Sequence, residues 1–268
     1  MSDDAPDQAA QSLFWQALYS QAQALAASEP LLASYYHANI LNHRSFPDAL
    51  AHHIGSLLAS SSVSGQTLRE VFASILDTDP AIVDAAVDDI CAYFERDPAC
   101  DSYCRPFLYF KGFTAVQAHR FAHWLWHNQR RSLALYLQHR VSLIWGVDIH
   151  PAARIGSGVM VDHATALVIG ETALVGDCVS LMHNVTLGGT GCESGQRHPQ
   201  IGSGVLISAG AKILGHIEIG DGVKVGAGSV VLESVPAHVT VVGVPAKIVG
   251  RPSAEQPAVS MDQRIEGA

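Results

Sequence analysis

The 268-residue sequence predicts an α + β protein with two parts, an all-helical N-terminal domain and a parallel β-helix. The β-helix is predicted by an aliphatic residue that returns every six positions between Ile149 and Val231, often with a glycine after it. The helical domain is predicted by apolar residues at helical spacing in the first half of the chain. We therefore expect a helical domain at residues 1–145, a β-helix at 146–250 and a flexible, polar and proline-bearing tail at 251–268.

The helical part is predicted from seven amphipathic runs. They cover residues 13–27, 31–41, 49–58, 68–76, 81–94, 113–126 and 132–144. Pro47 and Pro80 stand at positions that suit a helix start, where the missing N–H costs nothing. We expect these helices to cap the first coil of the β-helix, because that coil would otherwise leave unpaired strand edges.

The six-residue repeat is read as one short strand and one turn, so that three units close a coil of about eighteen residues. Two steps break the period. The step from Val161 to Ile169 is eight residues, and the step from Leu187 to Ile201 is fourteen, with four glycines in it. Loops that leave a rigid scaffold are where function is usually carried, so these two interruptions mark the candidate site.

Composition limits the possible partners and the compartment. The formal net charge of −9 argues against nucleic acid or an anionic membrane as the main partner, since both require clustered Lys and Arg. Five cysteines without a CxxC pair, an acidic start and no long apolar run predict a cytoplasmic protein with free thiols.

Three polar clusters interrupt the aliphatic repeat. They are Val147 to Pro151, Asp162 to Thr165, and Arg197 to Pro199. Asp148 and His163 are fifteen residues apart, a little under one coil, so they are expected near one edge of adjacent coils. An Asp that accepts from one imidazole nitrogen leaves the other nitrogen as a base suited to an alcohol. The alternative is a surface histidine that happens to lie near an aspartate.

At these clusters the sequence resembles the serine O-acetyltransferase family. The resemblance is carried by Asp148-Ile-His-Pro-Ala-Ala, Asp162-His-Ala-Thr, Gly170-Glu-Thr-Ala, Val185-Thr-Leu-Gly-Gly-Thr-Gly, Arg197-His-Pro and Gly243-Val-Pro-Ala-Lys, and in the helical half by Asp97-Pro-Ala, Tyr109-Phe-Lys-Gly-Phe, Gln117-Ala-His-Arg and His123-Trp-Leu-Trp. It spans roughly residues 80–250 with the loop lengths included. The family fold is a left-handed parallel β-helix of hexapeptide repeats behind a helical domain.

The resemblance implies transfer of acetyl from acetyl-CoA to the hydroxyl of L-serine, for cysteine synthesis. His163 matches the general base and Asp148 the residue that orients it. Arg197 matches the clamp on the serine carboxylate. Asp97 and Asp162 match the acids that bind the serine ammonium, and His198 lines the same pocket. Because cysteine differs from serine by one side-chain atom, the resemblance also implies inhibition by L-cysteine at this site.

For acetyl-CoA, the resemblance implies a groove between neighbouring β-helices. The matching positions are Gly189, Thr190, Ala209, Lys224, Ala227 and Lys247. The groove implies a homotrimer, and the usual assembly of the family is two trimers joined through the helical domains. No metal is expected. Family members often insert a C-terminal isoleucine into cysteine synthase, whereas this sequence ends Ile265-Glu266-Gly267-Ala268 and departs from that pattern.

Two other functions are compatible with the repeat alone. One is a trimeric β-helix zinc enzyme, for which the available histidines are His163, His183, His198 and His216. The other is a hexapeptide acyltransferase with a different alcohol or amine acceptor. Metal analysis separates the first from the serine enzyme, and turnover with alternative acceptors separates the second.

Overall fold

The computed structural model describes residues 5–191 and 194–265. Its chain divides into two compact units, Met1–Phe110 and Lys111–Ala268. The predicted α + β class with helices first and a parallel β-helix after them is confirmed.

The first unit is helical. Its helices are α1 (Ala5–Ser28), α2 (Ala33–Tyr36, preceded by a 3-10 turn and continued by a π-helical turn), α3 (Phe46–Leu58), α4 (Gly65–Thr78), α5 (Ala81–Arg96) and α6 (Cys104–Tyr109). Ser45 and Ser64 cap α3 and α4, each accepting a backbone N–H three residues on. Leu18, Phe72 and Phe107 are fully buried, so the apolar faces predicted from the sequence form a core of their own.

The second unit opens with α7 (Lys111–His127) and α8 (Arg131–Trp145) and continues into a stack of coils built from short strands. The compact unit that holds the β-helix therefore begins at Lys111, not near residue 146 as the sequence predicted. The reason is that α7 binds the first coil. Arg120 donates to the carbonyls of Ile155 (3.3 Å) and Gly156 (2.7 Å), and His123 Nδ1 donates to the carbonyl of Pro151 (2.8 Å).

The β-helix consists of three faces of short parallel strands. Face A holds β1 (Asp148–Ile149), β4 (Val168–Ile169), β7 (Thr186–Gly188), β10 (Lys212–Leu214) and β13 (Val230–Val231). Face B holds β2 (Arg154–Ile155), β5 (Leu174–Val175), β8 (Gln200–Ile201) and β11 (Glu218–Ile219). Face C holds β3 (Met160–Val161), β6 (Ser180–Leu181), β9 (Leu206–Ile207), β12 (Lys224–Val225), β14 (Thr240–Gly243) and β15 (Ala246–Gly250), the last of which is antiparallel.

The strand register places the repeat residues in interior ladders. On face A, Ile149 lies beside Ile169, and the ladder continues through Leu187, Ile213 and Val231. These side chains are buried, so the predicted role of the six-residue period is confirmed.

Two corners of the prism border face A and carry the polar clusters. The CA corner, between faces C and A, contains residues 162–167, 182–185, 208–211 and 226–229. The AB corner, between faces A and B, contains residues 150–153, 170–173, 189–191, 194–199 and 215–217. The fourteen-residue step leaves the prism at the AB corner, and the eight-residue step lies at the CA corner.

The C-terminal segment packs on face C. Ser180 Oγ donates to the carbonyl of Ala258 (2.8 Å), and the Ala258 N–H donates to the carbonyl of Gly204 (3.3 Å). Pro257–Ser260 forms α9, and Ala258 is fully buried. The prediction of a flexible tail is therefore wrong for the described part of this segment, because its small apolar residues pack on face C. Glu266, Gly267 and Ala268 lie outside the described residues.

Within residues 5–191 and 194–265, no helix is both long and apolar enough to cross a lipid bilayer.

Candidate active site

His163 lies on a two-residue insertion in the CA corner. Ala166 and Asn184 hold the left-handed turn of this corner in successive coils, with φ of 60° and 57°. The Asn184 N–H donates to the carbonyl of Thr165 (2.7 Å), which aligns the two turns and leaves His163 and Ala164 as the extra residues. Both have left-handed backbones, with φ of 55° and 54°. Such conformations cost about 1–3 kcal/mol each for residues other than glycine and concentrate at functional sites.

Hydrogen bonds through Thr165 fix the backbone of the insertion, and the imidazole of His163 is exposed to solvent. The Thr165 N–H donates to the carbonyl of His163 (2.6 Å), and Lys111 Nζ, at the start of α7, donates to Thr165 Oγ1. The His163 side chain is 75% exposed, and its Nε2 lies 3.7 Å from Asp162 Oδ2. The ring of His183, one coil further on, meets the His163 ring edge to face at 5.9 Å. A fixed backbone thus carries an accessible imidazole between a carboxylate and a second imidazole.

Asp148 is the first residue of β1 and lies close to this insertion. The Ala166 N–H donates to the carbonyl of Gly146 (2.8 Å), which brings the turn after His163 to the start of β1. No ion pair joins Asp148 to His163 within the chain as described. The Asp148 carboxylate instead accepts from the side-chain amide of Gln138 in α8, at 2.7 Å. The expected proximity to one corner is present, while the expected direct contact is absent from this arrangement.

Arg197 and His198 close the glycine-rich excursion at the AB corner. The backbone N–H groups of both residues donate to Thr172 Oγ1, at 3.0 and 3.2 Å, and the Thr172 N–H donates to His198 Nδ1 (3.2 Å). Nδ1 is therefore an acceptor, and the proton of the neutral ring is on Nε2. The guanidinium of Arg197 forms an ion pair with Glu171. Thr172 and Glu171 thus fix the two residues that end the loop.

The charges of this cluster follow from burial and pairing. Burial, and then the Arg197 charge, lower the pKa of His198, so the ring is neutral near neutral pH. The hydrogen bond from Arg197 lowers the pKa of Glu171, so that carboxylate stays ionised. The cluster offers a cation, a neutral imidazole N–H and one held carboxylate, a set suited to a small zwitterion.

Gly170 is required where the His198 ring crosses the AB corner. A Cβ added at Gly170 would lie 2.1 Å from both Cδ2 and Nε2 of His198, a distance that no side chain can accept. We expect Gly170→Ala to destabilise the chain by about 1–3 kcal/mol, the usual cost of forcing an extra carbon into a packed place.

Urea unfolding measures this loss, and Gly191→Ala is the control, because a Cβ at Gly191 has no neighbour within 4 Å and the position belongs to the same loop. Equal unfolding midpoints for the two variants would show that the ring moves aside without cost.

The two polar groups lie at opposite edges of face A. Gly170 follows Ala166 by four steps along β4 and its flanks, which is about 13 Å at 3.3 Å per residue. Within one chain, Asp162 lies beside His163 at the CA corner, and Arg197 lies beside His198 at the AB corner. The two pairs are therefore too far apart to act on one small molecule. Asp97 belongs to the first unit, where its carboxylate accepts from the Ala99 N–H at 2.8 Å.

The positions expected to bind acetyl-CoA are also divided between the corners. Ala209 lies on the CA corner in line with His183, and Ala227 follows one coil later. Gly189 and Thr190 are exposed at the start of the excursion on the AB corner, and Lys247 is exposed on β15. Lys224 was expected to lie near the phosphates of acetyl-CoA, and its position does not agree with that role. It is 3% exposed, and its Nζ donates to the carbonyl of Arg264 in the C-terminal segment, so its charge is already engaged.

Several residues of the site were not singled out by sequence reasoning. Glu171 and Thr172 lie inside the quoted Gly170-Glu-Thr-Ala motif, so a signal for them existed. Lys111 lies inside the quoted Tyr109-Phe-Lys-Gly-Phe motif, so a signal existed for it as well. Gln138 lies on α8, and nothing in its local pattern distinguishes it from a solvated side chain. Of the four histidines considered for zinc, His163 and His183 are on the CA corner, while His198 and His216 are on the AB corner.

Two protein-family models match parts of the chain. The N-terminal region of serine acetyltransferase matches residues 14–118. The bacterial transferase hexapeptide, six repeats, matches residues 198–233.

Similar proteins match over almost the whole chain. Serine acetyltransferase of Salmonella typhimurium is 52% identical over 255 residues, which are 95% of this chain and 93% of that protein. The crystal structure of serine acetyltransferase from Vibrio cholerae has a TM-score of 0.94 and 52% identity, and covers 96% of this chain and 100% of its own.

Some similar structures are named with ligands. A serine acetyltransferase complex with cysteine has a TM-score of 0.93 and 47% identity, over 95% of this chain and 99% of its own. The Neisseria gonorrhoeae enzyme in complex with serine (50% identity, TM-score 0.86) covers 88% of this chain and 97% of its own. The Brucella abortus enzyme in complex with coenzyme A (49% identity, TM-score 0.87) covers 89% and 95%. With such identity over nearly its full length, the chain belongs to the serine acetyltransferase family.

Proposed function

We propose that this chain transfers the acetyl group of acetyl-CoA to the side-chain hydroxyl of L-serine, giving O-acetyl-L-serine for cysteine biosynthesis. The observation that carries the proposal is the accessible imidazole of His163 on its inserted, left-handed turn, in a chain about half identical to serine acetyltransferases along nearly all its length. The similar structures named with serine, coenzyme A and cysteine support these three as substrate, co-substrate and inhibitor.

In the proposed mechanism, neutral His163 removes the proton of the serine hydroxyl as the oxygen attacks the thioester carbonyl. The tetrahedral intermediate then collapses, the carbon–sulfur bond breaks, and His163 returns the proton to the CoA thiolate. No covalent enzyme intermediate is needed. Asp148 accepts from the other imidazole nitrogen and fixes the tautomer, which requires the exposed ring to turn from its position beside Asp162. Backbone N–H groups near Gly188 and Gly189 are the candidates for stabilising the oxyanion.

The serine zwitterion is held by groups of opposite charge in this proposal. Arg197, oriented by Glu171, binds the carboxylate through its guanidinium fork. Asp162 and Asp97 bind the ammonium group, and the neutral His198 ring donates from Nε2. L-Cysteine presents the same carboxylate and ammonium groups, so it competes for this site. Acetyl-CoA lies along Gly189, Thr190, Ala209 and Ala227, with Lys247 near its phosphates.

We further propose a homotrimer in which each site lies between two chains, and a dimer of such trimers. The support is the division of the site residues between the two edges of face A. When the AB corner of one chain faces the CA corner of the next, Arg197 and His198 come to His163 and Asp162, and a symmetric ring of three closes every site.

Substrate turnover tests the chemistry. Release of CoA thiol from acetyl-CoA is measured with L-serine, L-threonine, L-homoserine and simple alcohols as acceptors, with added L-cysteine as inhibitor. We expect turnover with L-serine and competition by L-cysteine. A preference for another acceptor supports the alternative acyltransferase, and zinc-dependent activity without acetyl-CoA supports the zinc enzyme.

A mixing experiment tests the shared site. His163→Ala and Arg197→Ala chains, each inactive alone, are refolded together in equal amounts. Because a site between chains takes His163 from one chain and Arg197 from its neighbour, about a quarter of the sites in random trimers regain both residues. Activity near that fraction supports the shared site. A mixture as inactive as its components overturns it, and light scattering gives the number of chains.

Two remaining proposals concern compartment and partner. Four cysteines of the described ranges are free thiols, and burial raises the pKa of the Cys104 thiol to about 12, which suits a reducing cytoplasm. A cysteine synthase partner is tested by co-elution with and without the last ten residues.

A further inference from the structure

Gln138 lies directly against the carboxylate that the mechanism requires to orient its base. Its side-chain Nε2 donates to Asp148 Oδ1 at 2.7 Å, and the contact is partly shielded from water. The distance is that of a strong hydrogen bond to a charged acceptor.

The fold fixes this contact from both sides. Leu137 and Val141 are buried and hold the orientation of α8. The helix ends at Trp145 and is capped by Gly146, whose left-handed backbone (φ 65°) turns the chain back so that β1 runs past α8. Gln138 and Asp148, ten residues apart in sequence, therefore meet across this reversal.

The hydrogen bond divides the carboxylate between two tasks. Oδ1 is occupied by the amide, and Oδ2 remains as the acceptor for an imidazole N–H. His150, two residues further along the chain, also senses the Asp148 charge, but burial lowers the pKa of its imidazole, which disfavours a competing cation there. A carboxylate on a flexible side chain loses rotational freedom when one oxygen is fixed, which prepares the other for the base.

We propose that Gln138 is a positioning residue for acetyl transfer, which holds Asp148 in the orientation that His163 uses. The inference rests on the proposed function, since it assigns Gln138 a task in that reaction. Gln138 touches neither substrate nor His163 and acts only through Asp148.

Gln138→Met removes the donor and keeps the length and the helix propensity of the side chain. We expect kcat to fall about ten- to a hundredfold, the effect of one hydrogen bond to a charged group, with both KM values changed less than about twofold. The kcat of Gln138→Glu should fall further, because the new carboxylate repels that of Asp148. His139→Ala, at the next and exposed position of α8, is the control and should keep full activity.

A double-mutant cycle separates positioning from support of the helix. In an Asp148→Ala background, Gln138→Met should cause no further loss, because its effect passes through the missing carboxylate. The inference is wrong if the losses of the two single variants multiply in the double variant. It is also wrong if the Gln138→Met and Gln138→Glu variants have equal activity.

A failure of the proposed function gives a different experimental result from a failure of this inference. If the unmodified chain does not acetylate L-serine, the function is wrong, and the contact is then judged by crystallography of Gln138→Met. An Asp148 carboxylate that keeps its orientation in that variant overturns the positioning role, and a rotated or disordered one supports it.

Discussion

Replacement of His163 by Asn is expected to lower kcat for acetyl transfer by about 10²–10⁴-fold, because the reaction loses its general base. Asparagine is the substitution of choice, since it tolerates the left-handed backbone (φ 55°) better than alanine and so removes the base without adding strain. The measurement is CoA thiol release at saturating L-serine and acetyl-CoA, together with a thermal unfolding curve that we expect to match that of the parent chain.

His183→Asn is the matched control for this experiment. His183 is an exposed imidazole one coil away, with its ring 5.9 Å from that of His163, and it has no step in the proposed mechanism. We expect its kcat to stay within a few-fold of the parent value. Near-normal turnover by the His163 variant would disprove the mechanism, and equal losses in both variants would show that the pair acts together.

Replacement of Arg197 by Ala is expected to lower kcat/KM for L-serine by about 10²–10³-fold, since removing one partner of a desolvated charge pair costs 2–5 kcal/mol. The KM for acetyl-CoA should remain near its original value. Arg197→Lys should recover only part of the loss, because an ammonium group cannot bind a carboxylate through two parallel hydrogen bonds.

Steady-state kinetics with each substrate varied in turn provide the measurement, and Arg154→Ala is the control, because Arg154 is an exposed cation on face B. If Arg197→Ala changes the KM for acetyl-CoA and leaves the serine kinetics intact, the guanidinium serves the cofactor and its assignment is wrong.

The β-helix was predictable because its ladder residues obey a strict local period. Each of Ile149, Ile169 and Leu187 appears at the position that the register later pairs. The eight-residue step likewise located the insertion, since two extra residues in a fixed period must leave the prism. Their left-handed backbones were not predictable, because alanine rarely adopts positive φ and most histidines do not adopt it either, although histidine is enriched there.

Other features depend on contacts between distant parts of the chain. The boundary at Lys111 arises from Arg120 and His123, which bind carbonyls of the first coil, and a helical period cannot show which partner a polar residue will find. The same applies to Lys224, whose charge is engaged by the C-terminal segment, and to Gln138 beside Asp148. The division of the site between two corners follows from register and was visible only when the strands were paired.

The contacts of α7 with the first coil also bear on how the molecule avoids fibre growth. A stack of identical parallel coils has no intrinsic length, and an open end is a template on which another chain can add strands. At the N-terminal end, Arg120 and His123 occupy carbonyls that an incoming strand would use. At the other end, β15 reverses direction against β14 and ends the parallel order on face C. The same groups that anchor the helix therefore make the coil stack a closed object of fixed length, which can be concentrated in a cell without growing end to end.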